Sequence, residues 1–496
     1  MDSLFFFKRH RHATICPYEG RRWASMRKSK DDEMKEKIIV IDAIMGSGKT
    51  SWAIREMDNN PDESYIFCTP FLDEIDRIKE SSKRDFCDPL QIDGRKLEGF
   101  NRLLESGKDI ALTHCTFSNA NDETLEYLQQ GNYTLILDEV LDILVEFNKV
   151  ASTKLLKNDP YVLISKKFIS VDECGKVTWI TDSRKHAAYS EVERLAKSGN
   201  LYYLNNAFMV WQFPPQIFGL FKKVFVMTYL FEGSFLKPYF EANGLEYELV
   251  SVSTSGNGTS SLVPYTRENE HRERFRELIT ICDNADMNNY RATSLSKTWY
   301  GNASKDTKKK LHNDIGNFCK NIAKARSADI MWTAPKEQEK ILKGAGYTTI
   351  FRITKDMPFV NCPECDTQVP HYRSVCPECG CQIKVNKQWL ERERRKLEKM
   401  SRCFVPCNAR ATNDYQNRWA CVYACNMYPN KYIKRYFENR QKKDGHPIKV
   451  DEDYFALSCL LQWVWRSRIR KGEPIHIYIP STRMRKLFID WLDGKK

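Results

Sequence analysis

No apolar run in this sequence is long enough to cross a bilayer. The clearest, Val224 to Phe231, falls far short of the roughly 20 residues a spanning helix needs. The opening MDSLFFFKRHRH places its apolar patch ahead of its charges and has no adequate apolar core, so it makes a poor signal peptide. Acidic charge is in short supply: 65 Asp and Glu stand against 78 Lys and Arg, a formal net charge of +13. That excess favours a polyanionic partner and argues nothing about fold. No internal repeat is evident. The chain therefore reads as neither membrane-bound nor secreted. Its 17 scattered cysteines are expected as reduced cytosolic thiols or metal ligands, not as a disulfide framework.

What is present is globular. Apolar residues make up 42% and aromatics 12% of 496 residues, enough for two or three domains with sizeable cores. Residues 1–35 are basic and irregular, with His10, His12 and Cys16 among them, and read as a flexible extension or an upstream start ahead of Met26 or Met34. From Lys37 a regular alternation begins. KIIVIDAI, SYIFCTP, DIALTH, YTLILDEV and KKVFVMTYL read as strands, separated by helical stretches such as TSWAIREMD and LDEIDRIKESS. Short β-branched runs alternating with helices predict a parallel sheet wrapped by helices. This first α/β lobe is expected over 36–245. Residues 246–274, rich in Ser, Gly and Thr, read as a linker. A second α/β lobe is expected over 275–496, from YRATSLSKTWY, ADIMWTAP, FVPCNARATND, WACVYACNMY, a helix ending near Arg470, and PIHIYIP. A cysteine-rich insert at 361–383 interrupts it, followed by the charged helix KQWLERERRKLEKM. Tyr65, Trp211, Trp299 and Trp332 read as core residues, not base-stacking platforms.

The sharpest chemical signal is AIMGSGKTS, residues 43–51, between a predicted strand and a predicted helix. Here Ala43, Met45, Gly46, Ser47, Gly48, Lys49, Thr50 and Ser51 form a phosphate-binding loop. Gly46 and Gly48 allow backbone N–H groups to close around phosphates at a helix N-terminus. Lys49 would reach the β and γ phosphates and Thr50 would ligate Mg²⁺. Ala43 stands where the general pattern has Gly. The partner signal is LILDEV, residues 135–140, in which Asp138 ends an apolar strand and can hold Mg²⁺ through water. Glu139 beside it can orient or deprotonate the attacking water. Together the two motifs point to NTP hydrolysis.

The insert offers a different chemistry. Cys362 and Cys365 in C-P-E-C pair with Cys376 and Cys379 in a second C-P-E-C. Two such knuckles suit a tetrahedral thiolate cage for structural Zn²⁺, with iron as the rival metal. His371, Tyr372, Arg373 and Lys384 flank it and could touch nucleic acid, or the insert could merely brace the lobe. The pairs Cys403/Cys407 and Cys421/Cys425 read as small buried hydrophobes on strands.

With these motifs in hand, the chain from about 37 onward resembles the superfamily 2 helicases, especially the phage-encoded kind. AIMGSGKT is similar to motif I, and LDEV to motif II in a non-DEAD, non-DEAH form. Thr69-Pro70 before FLDEIDRI is similar to motif Ia, and Thr113-His114 to the next strand-binding motif. MTYLFEGS, with Thr228, occupies the place of the Ser-Ala-Thr motif with different letters. NARATNDY, with Thr412 and Asn413, resembles motif V. QWVWRSRIR, with Gln462, Arg466, Arg468 and Arg470, resembles motif VI, although Trp465 replaces a Gly and Ile469 stands where the last Arg is expected. No adenine-reading Gln precedes motif I.

The resemblance implies two RecA-like parallel-sheet lobes with a zinc-ribbon insertion in the second. It implies ATP held between lobes and a nucleic-acid strand contacted through Thr69, Pro70, Thr113, His114, Thr412 and Asn413. Small polar residues suit backbone-phosphate contacts without base readout. Arg466, with Arg468 or Arg470 as the finger, would stabilise charge on the transferring phosphoryl, because a planar guanidinium matches phosphate oxygens. The expected cofactors are ATP, Mg²⁺ and Zn²⁺. The expected partner is nucleic acid, single-stranded or forked DNA ahead of RNA, with replication or recombination proteins beside it and the host cytoplasm as the place of work. Two alternatives stay open: a duplex-translocating packaging or remodelling ATPase, and a zinc-bearing nucleic-acid-binding protein with a vestigial ATP site.

Overall fold

The computed structural model describes residues 38–92, 96–150, 154–156, 159–181, 189–204, 208–270, 272–344, 359–370, 374–383, 402–407 and 414–496. The N-terminal extension, the motif V residues Thr412 and Asn413, the flanking His371, Tyr372, Arg373 and Lys384, and the charged helix after the insert lie outside them. The chain divides into two compact units: Met1–Asn269 with Pro429–Phe455, and Glu270–Tyr428 with Ala456–Lys496.

The first unit grows from strands that read as near-continuous apolar runs. These are β1 (Ile38–Asp42), β2 (Tyr65–Thr69), β3 (Ile110–Thr113) and β4 (Thr134–Asp138). After β4 the chain makes an excursion through β5 (Leu144–Glu146), β6 (Ile169–Val171), β7 (Val177–Trp179), β8 (Leu201–Leu204) and β9 (Phe208–Gln212). It then returns as β10 (Lys223–Thr228), β11 (Glu248–Thr254) and β12 (Ser260–Pro264). The main sheet has the order β12-β11-β1-β10-β4-β2-β3 and is parallel except for β12, which pairs antiparallel with β11.

Parallel sheets covered on both faces need apolar side chains on both, which explains the unbroken runs. The period of two sorts them. Ile38, Val40, Leu135 and Leu137 enter one apolar layer, and Ile39, Ile41, Ile136 and Met227 enter the other.

Two expectations change here. Residues 246–274 are not a bare linker, because β11 and β12 lie within them and extend the first sheet. Ser and Thr alternate with Val and Leu there, so the small polar letters hide a strand pattern. The second lobe also gives up residues 429–455 to the first unit. The helix Lys431–Glu438 carries Tyr432, Tyr436 and Phe437, and its aromatic rings find partners on the excursion. Tyr432 lies 5.0 Å from Phe208 and Tyr436 lies 5.7 Å from Tyr202, ring to ring, with the Arg440 guanidinium 4.1 Å over Tyr436.

The second unit is a smaller parallel sheet. Its strands are β13 (Ile279–Ile281) and β14 (Ile330–Thr333), then, past the insert strands β15 (Phe359–Asn361) and β16 (Gln368–Pro370), β17 (Ala420–Tyr423) and β18 (Ile475–Tyr478). The order is β13-β18-β17-β14. YRATSLSKTWY forms turns and the helix Lys297–Asn302 instead of a strand. In FVPCNARATND, Phe404 makes only an isolated bridge to Trp332. Cys403 is nonetheless buried, as are Cys421 and Cys425, while Cys407 is half-buried. Of the four aromatics read as core, Tyr65, Trp211 and Trp332 are buried and Trp299 is half-buried. Among the described residues no helix is long and apolar enough to cross a membrane.

Candidate nucleotide site and metal centre

Strands β1, β10, β4, β2 and β3 run the same way, so their C-terminal ends share one edge of the sheet. That edge collects Asp42, Thr228, Asp138, Thr69 and Thr113. Open α/β sheets bind ligands outside such ends. Residues scattered over nearly two hundred positions of sequence thus become neighbours through topology alone.

The loop after β1 is shaped by two glycines. Gly46 and Gly48 adopt φ of 80° and 95°, the left-handed region L side chains rarely enter. Gly48 caps the helix α1 (Lys49–Asn59), whose buried Trp52, Ala53 and Met57 fix it to the sheet. The Lys49 ammonium donates to the carbonyls of Ala43 and Ile44, the latter at 3.1 Å, and so lies folded over the start of the loop. The Ser47 hydroxyl is buried without a hydrogen-bond partner. A buried hydroxyl left unpaired costs free energy, and an anion in the loop would supply its acceptor. Met45 and Thr50 are half-buried, Gly46 and Ser51 exposed.

Asp138 ends β4 with the Thr69 hydroxyl 3.4 Å from its Oδ2. Burial, then the charges of Glu139 and Glu74, push Asp138 up to about 7, while Lys49 and Arg77 pull it the other way. A carboxyl so placed would be stabilised in its charged form by a divalent cation. Glu139 adopts φ of 69°, unusual for a non-glycine, and its N–H donates to the Met227 carbonyl at 2.9 Å. The backbone therefore bends sharply at the residue expected to handle water.

Asp42 escaped sequence reading. It is 3% exposed and accepts from the N–H groups of Leu230, at 2.8 Å, and Phe231, at 2.9 Å. Leu230 is itself left-handed, at φ 55°. Asp42 thus ties the end of β1, one residue before the phosphate loop, to the turn after β10. An acid inside IIVIDAI was the available signal, since Asp is almost never fully buried unless paired.

Thr69 was expected to face a nucleic-acid strand. It is fully buried, and its hydroxyl turns to Asp138, because β2, which it ends, lies directly beside β4, which Asp138 ends. Pro70 after it is half-buried. Thr113 is half-buried and caps the short helix His114–Phe117, accepting from the Thr116 N–H. His114 is half-buried beside it.

In the second unit, Gln462 lies half-buried on the helix Glu452–Val464, and Arg466 beyond it is 5% exposed. The helix ends before Arg470, and Arg468–Lys471 form a separate 3₁₀ turn. Arg468 lies 5.6 Å over the Trp419 ring and donates to the Pro474 carbonyl, with Glu473 3.9 Å away. Its guanidinium is committed within its own unit. Arg470 is exposed.

The insert brings its four expected ligands together. The thiols of Cys362, Cys365, Cys376 and Cys379 all lie within 4.8 Å of one another. Cys362 and Cys376 are buried, Cys365 and Cys379 exposed. Each knuckle closes the same way: the N–H of Asp366 returns to the Cys362 carbonyl at 2.9 Å, and that of Gly380 to Cys376 at 3.0 Å. Both closing residues are left-handed, at φ 54° and 73°. Sequence reading missed Cys381, whose sulfur is 3.1 Å from that of Cys362. The donor set fits a thiophilic tetrahedral ion, with one thiol more than such an ion takes.

Comparisons with known proteins add lineage. The family described as the YonV C-terminal Rossmann-like domain matches residues 273–492, and the YonV middle domain matches 150–211. The Bacillus subtilis (strain 168) "SPbeta prophage-derived uncharacterized protein YonV" is 34% identical over 480 residues, covering 93% of this chain and 100% of the relative. Solved structures are more distant. XPD_APO is 12% identical, with 92% of this chain and 95% of that chain covered and a TM-score of 0.46. XPD_Helicase is 11% identical, with 92% and 94% covered and a TM-score of 0.44. Identity across the whole length of the prophage protein is decisive: the chain belongs to the YonV family.

Proposed function

We propose that the protein is an ATP-dependent helicase or translocase of nucleic acid. The observation that carries the reading is the shared strand edge, where the glycine-shaped loop, Lys49, the unpartnered Ser47 hydroxyl and the Asp138–Glu139 pair converge. In this reading the N–H groups of residues 46–50 and the Lys49 ammonium hold the β and γ phosphates. Thr50 and Asp138 hold Mg²⁺, which when bound neutralises charge on the phosphate oxygens. Glu139 orients water for attack on the γ-phosphorus and accepts its proton. Arg466 of the second unit is assigned to phosphate chemistry, with Arg468 or Arg470 as the finger.

The basic balance of the chain supports a nucleic-acid partner, and a prophage-derived relative fits work on phage DNA in replication, recombination or repair. Four insert cysteines are assigned to one structural Zn²⁺. The test is ATP hydrolysis by the full chain with and without single-stranded DNA, single-stranded RNA and duplex. Hydrolysis stimulated by a single strand supports the reading. No hydrolysis under any condition overturns it. Stimulation by duplex alone, with no strand displacement on a fork, replaces it with a duplex-translocating motor.

A further inference from the structure

We propose that the tip of the β11–β12 hairpin is the nucleoside-side wall of the nucleotide site, reading the ribose and not the base. The inference rests on the nucleotide reading above. It starts from the order of the strands. β1, which feeds the phosphate loop, has β10 and then β4 on one side and β11 and then β12 on the other. Glu139, at the end of β4, fixes the side on which the γ-phosphate must lie. A triphosphate laid along the loop with its γ end there carries its nucleoside toward the opposite side, where the hairpin stands.

The hairpin is long enough to form a wall. Its last β1 pairing is Ile41 with Val250, yet β11 runs on to Thr254. β1 itself ends one residue on, at Asp42, so three residues of β11 at about 3.3 Å each project past the level where β1 gives way to the loop. The neck of the projection is pressed onto that loop. Thr254 Oγ1 donates to the Ser47 carbonyl at 3.0 Å and pairs with Ser260 Oγ at 2.9 Å. A Cβ added to Gly48 would meet these two hydroxyls at 2.7 Å and 2.6 Å. Gly48 is therefore needed for its contact with the hairpin as well as for its φ.

The tip is held by its own bonds. The Ser255 N–H donates to the Thr259 carbonyl at 2.9 Å, the Gly258 N–H to Ser255 at 2.9 Å, and the Thr259 N–H to Asn257 Oδ1 at 3.1 Å. Residues 253–259 are all exposed. Their side chains are hydroxyls and one carboxamide, with no ring to stack on a base and no charge, and the Ser255 hydroxyl donates within the tip to Asn257 Oδ1 and to the Thr259 carbonyl, the latter at 2.9 Å. Such groups suit sugar hydroxyls.

The test measures equilibrium binding by the full chain of ATP, 2′-deoxyATP and inorganic tripolyphosphate, the last carrying phosphates without a nucleoside. In a tip variant, Ser255→Ala with Asn257→Gly and Thr259→Ala, ATP affinity should fall about tenfold while tripolyphosphate affinity holds. The wild-type preference for ATP over 2′-deoxyATP should vanish in that variant. Thr254→Val should weaken ATP and tripolyphosphate alike, because it releases the loop itself. A tip variant with unchanged affinities for both nucleotides overturns the hairpin wall while leaving the nucleotide site standing. If wild type binds neither ATP nor tripolyphosphate, or if Lys49→Ala binds both as well as wild type, the nucleotide site itself is lost.

Discussion

The C-terminal edges of the two parallel sheets are built from different chemistry. The seven-stranded sheet ends in Asp42, Thr69, Thr113, Asp138 and Thr228, together with a phosphate-type loop. The four-stranded sheet ends in Ile281, Thr333, Tyr423 and Tyr478, with Tyr423 packed 5.4 Å from Trp463 and Tyr478 stacked 5.6 Å from Phe318, ring to ring. Arg418, just ahead of β17, lies at the opposite ends of these strands, where it donates to the carbonyls of Ser327, at 2.9 Å, and Ile330, at 3.2 Å. One fold plan thus serves two purposes. The first edge gathers two carboxylates and three threonines beside a glycine-shaped loop, and the second is closed by packed aromatic rings.

The largest expected effects test that division. Lys49→Ala should abolish ATP hydrolysis in a folded protein, because the proposed reading makes Lys49 the main cation on the β and γ phosphates. Glu139→Gln should keep ATP binding while turnover falls at least about a hundredfold. Arg466→Ala should lower turnover by roughly a thousandfold while strand binding holds. Steady-state hydrolysis beside nucleotide and strand titrations checks all three. Comparable turnover in Lys49→Ala and wild type would erase the difference between the edges.

A cluster of four thiols separates the insert from both sheets. Elemental analysis should find about one zinc per chain, and Cys362→Ser with Cys365→Ser should lose it. Cys381→Ser should retain it, since four thiols remain within 4.8 Å of one another without Cys381. Iron in the wild type, or metal loss on Cys381→Ser alone, would reassign the ligand set.

Asp42→Asn comes next in size. Two backbone N–H groups now share one carboxylate, and a carboxamide offers a single acceptor atom. One buried donor is left facing an NH₂ group. A loss of roughly 1.5–3 kcal/mol is expected for a hydrogen bond to a charged acceptor. Thermal unfolding and basal hydrolysis should both report it, because the same residue anchors the start of the phosphate loop.

What the sequence made legible follows from spacing. The loop at 43–51 and the paired C-P-E-C knuckles carry their chemistry within a few residues, so local letters suffice. Asp42, Thr254 and Ser260 act through partners far along the chain. Thr254 reaches Ser47 across 207 positions, and only the pairing of β11 with β1 brings them together. The hairpin was hidden for a second reason. Ser, Gly and Thr are common in loops, and that composition outweighed the alternation of Val and Leu in SVSTSGNGTSSLVP. Residues 429–455 were assigned by position in the chain, whereas their aromatic helix was claimed by rings on β8 and β9. Thr69 and Thr113 looked equivalent as letters at strand ends, and burial separated them.

That separation supplies the smallest prediction. Thr69 sits fully buried beside Asp138, and Thr113 sits half-buried at the sheet's far strand as a helix cap. Thr69→Val should therefore reduce basal hydrolysis, since it removes a hydroxyl from the acidic pair without opening a cavity. Thr113→Ala should leave basal hydrolysis near wild type and cost about 1 kcal/mol of stability through the lost cap. If Thr113 also meets a strand, its variant should show less stimulation of hydrolysis by single-stranded DNA at equal basal rate. Measuring basal and stimulated rates for both variants at one salt concentration decides the matter. Equal losses of basal activity in the two would mean that the distinction drawn from burial does not govern function. A Thr113→Ala protein with full stimulation would confine that residue to capping the helix.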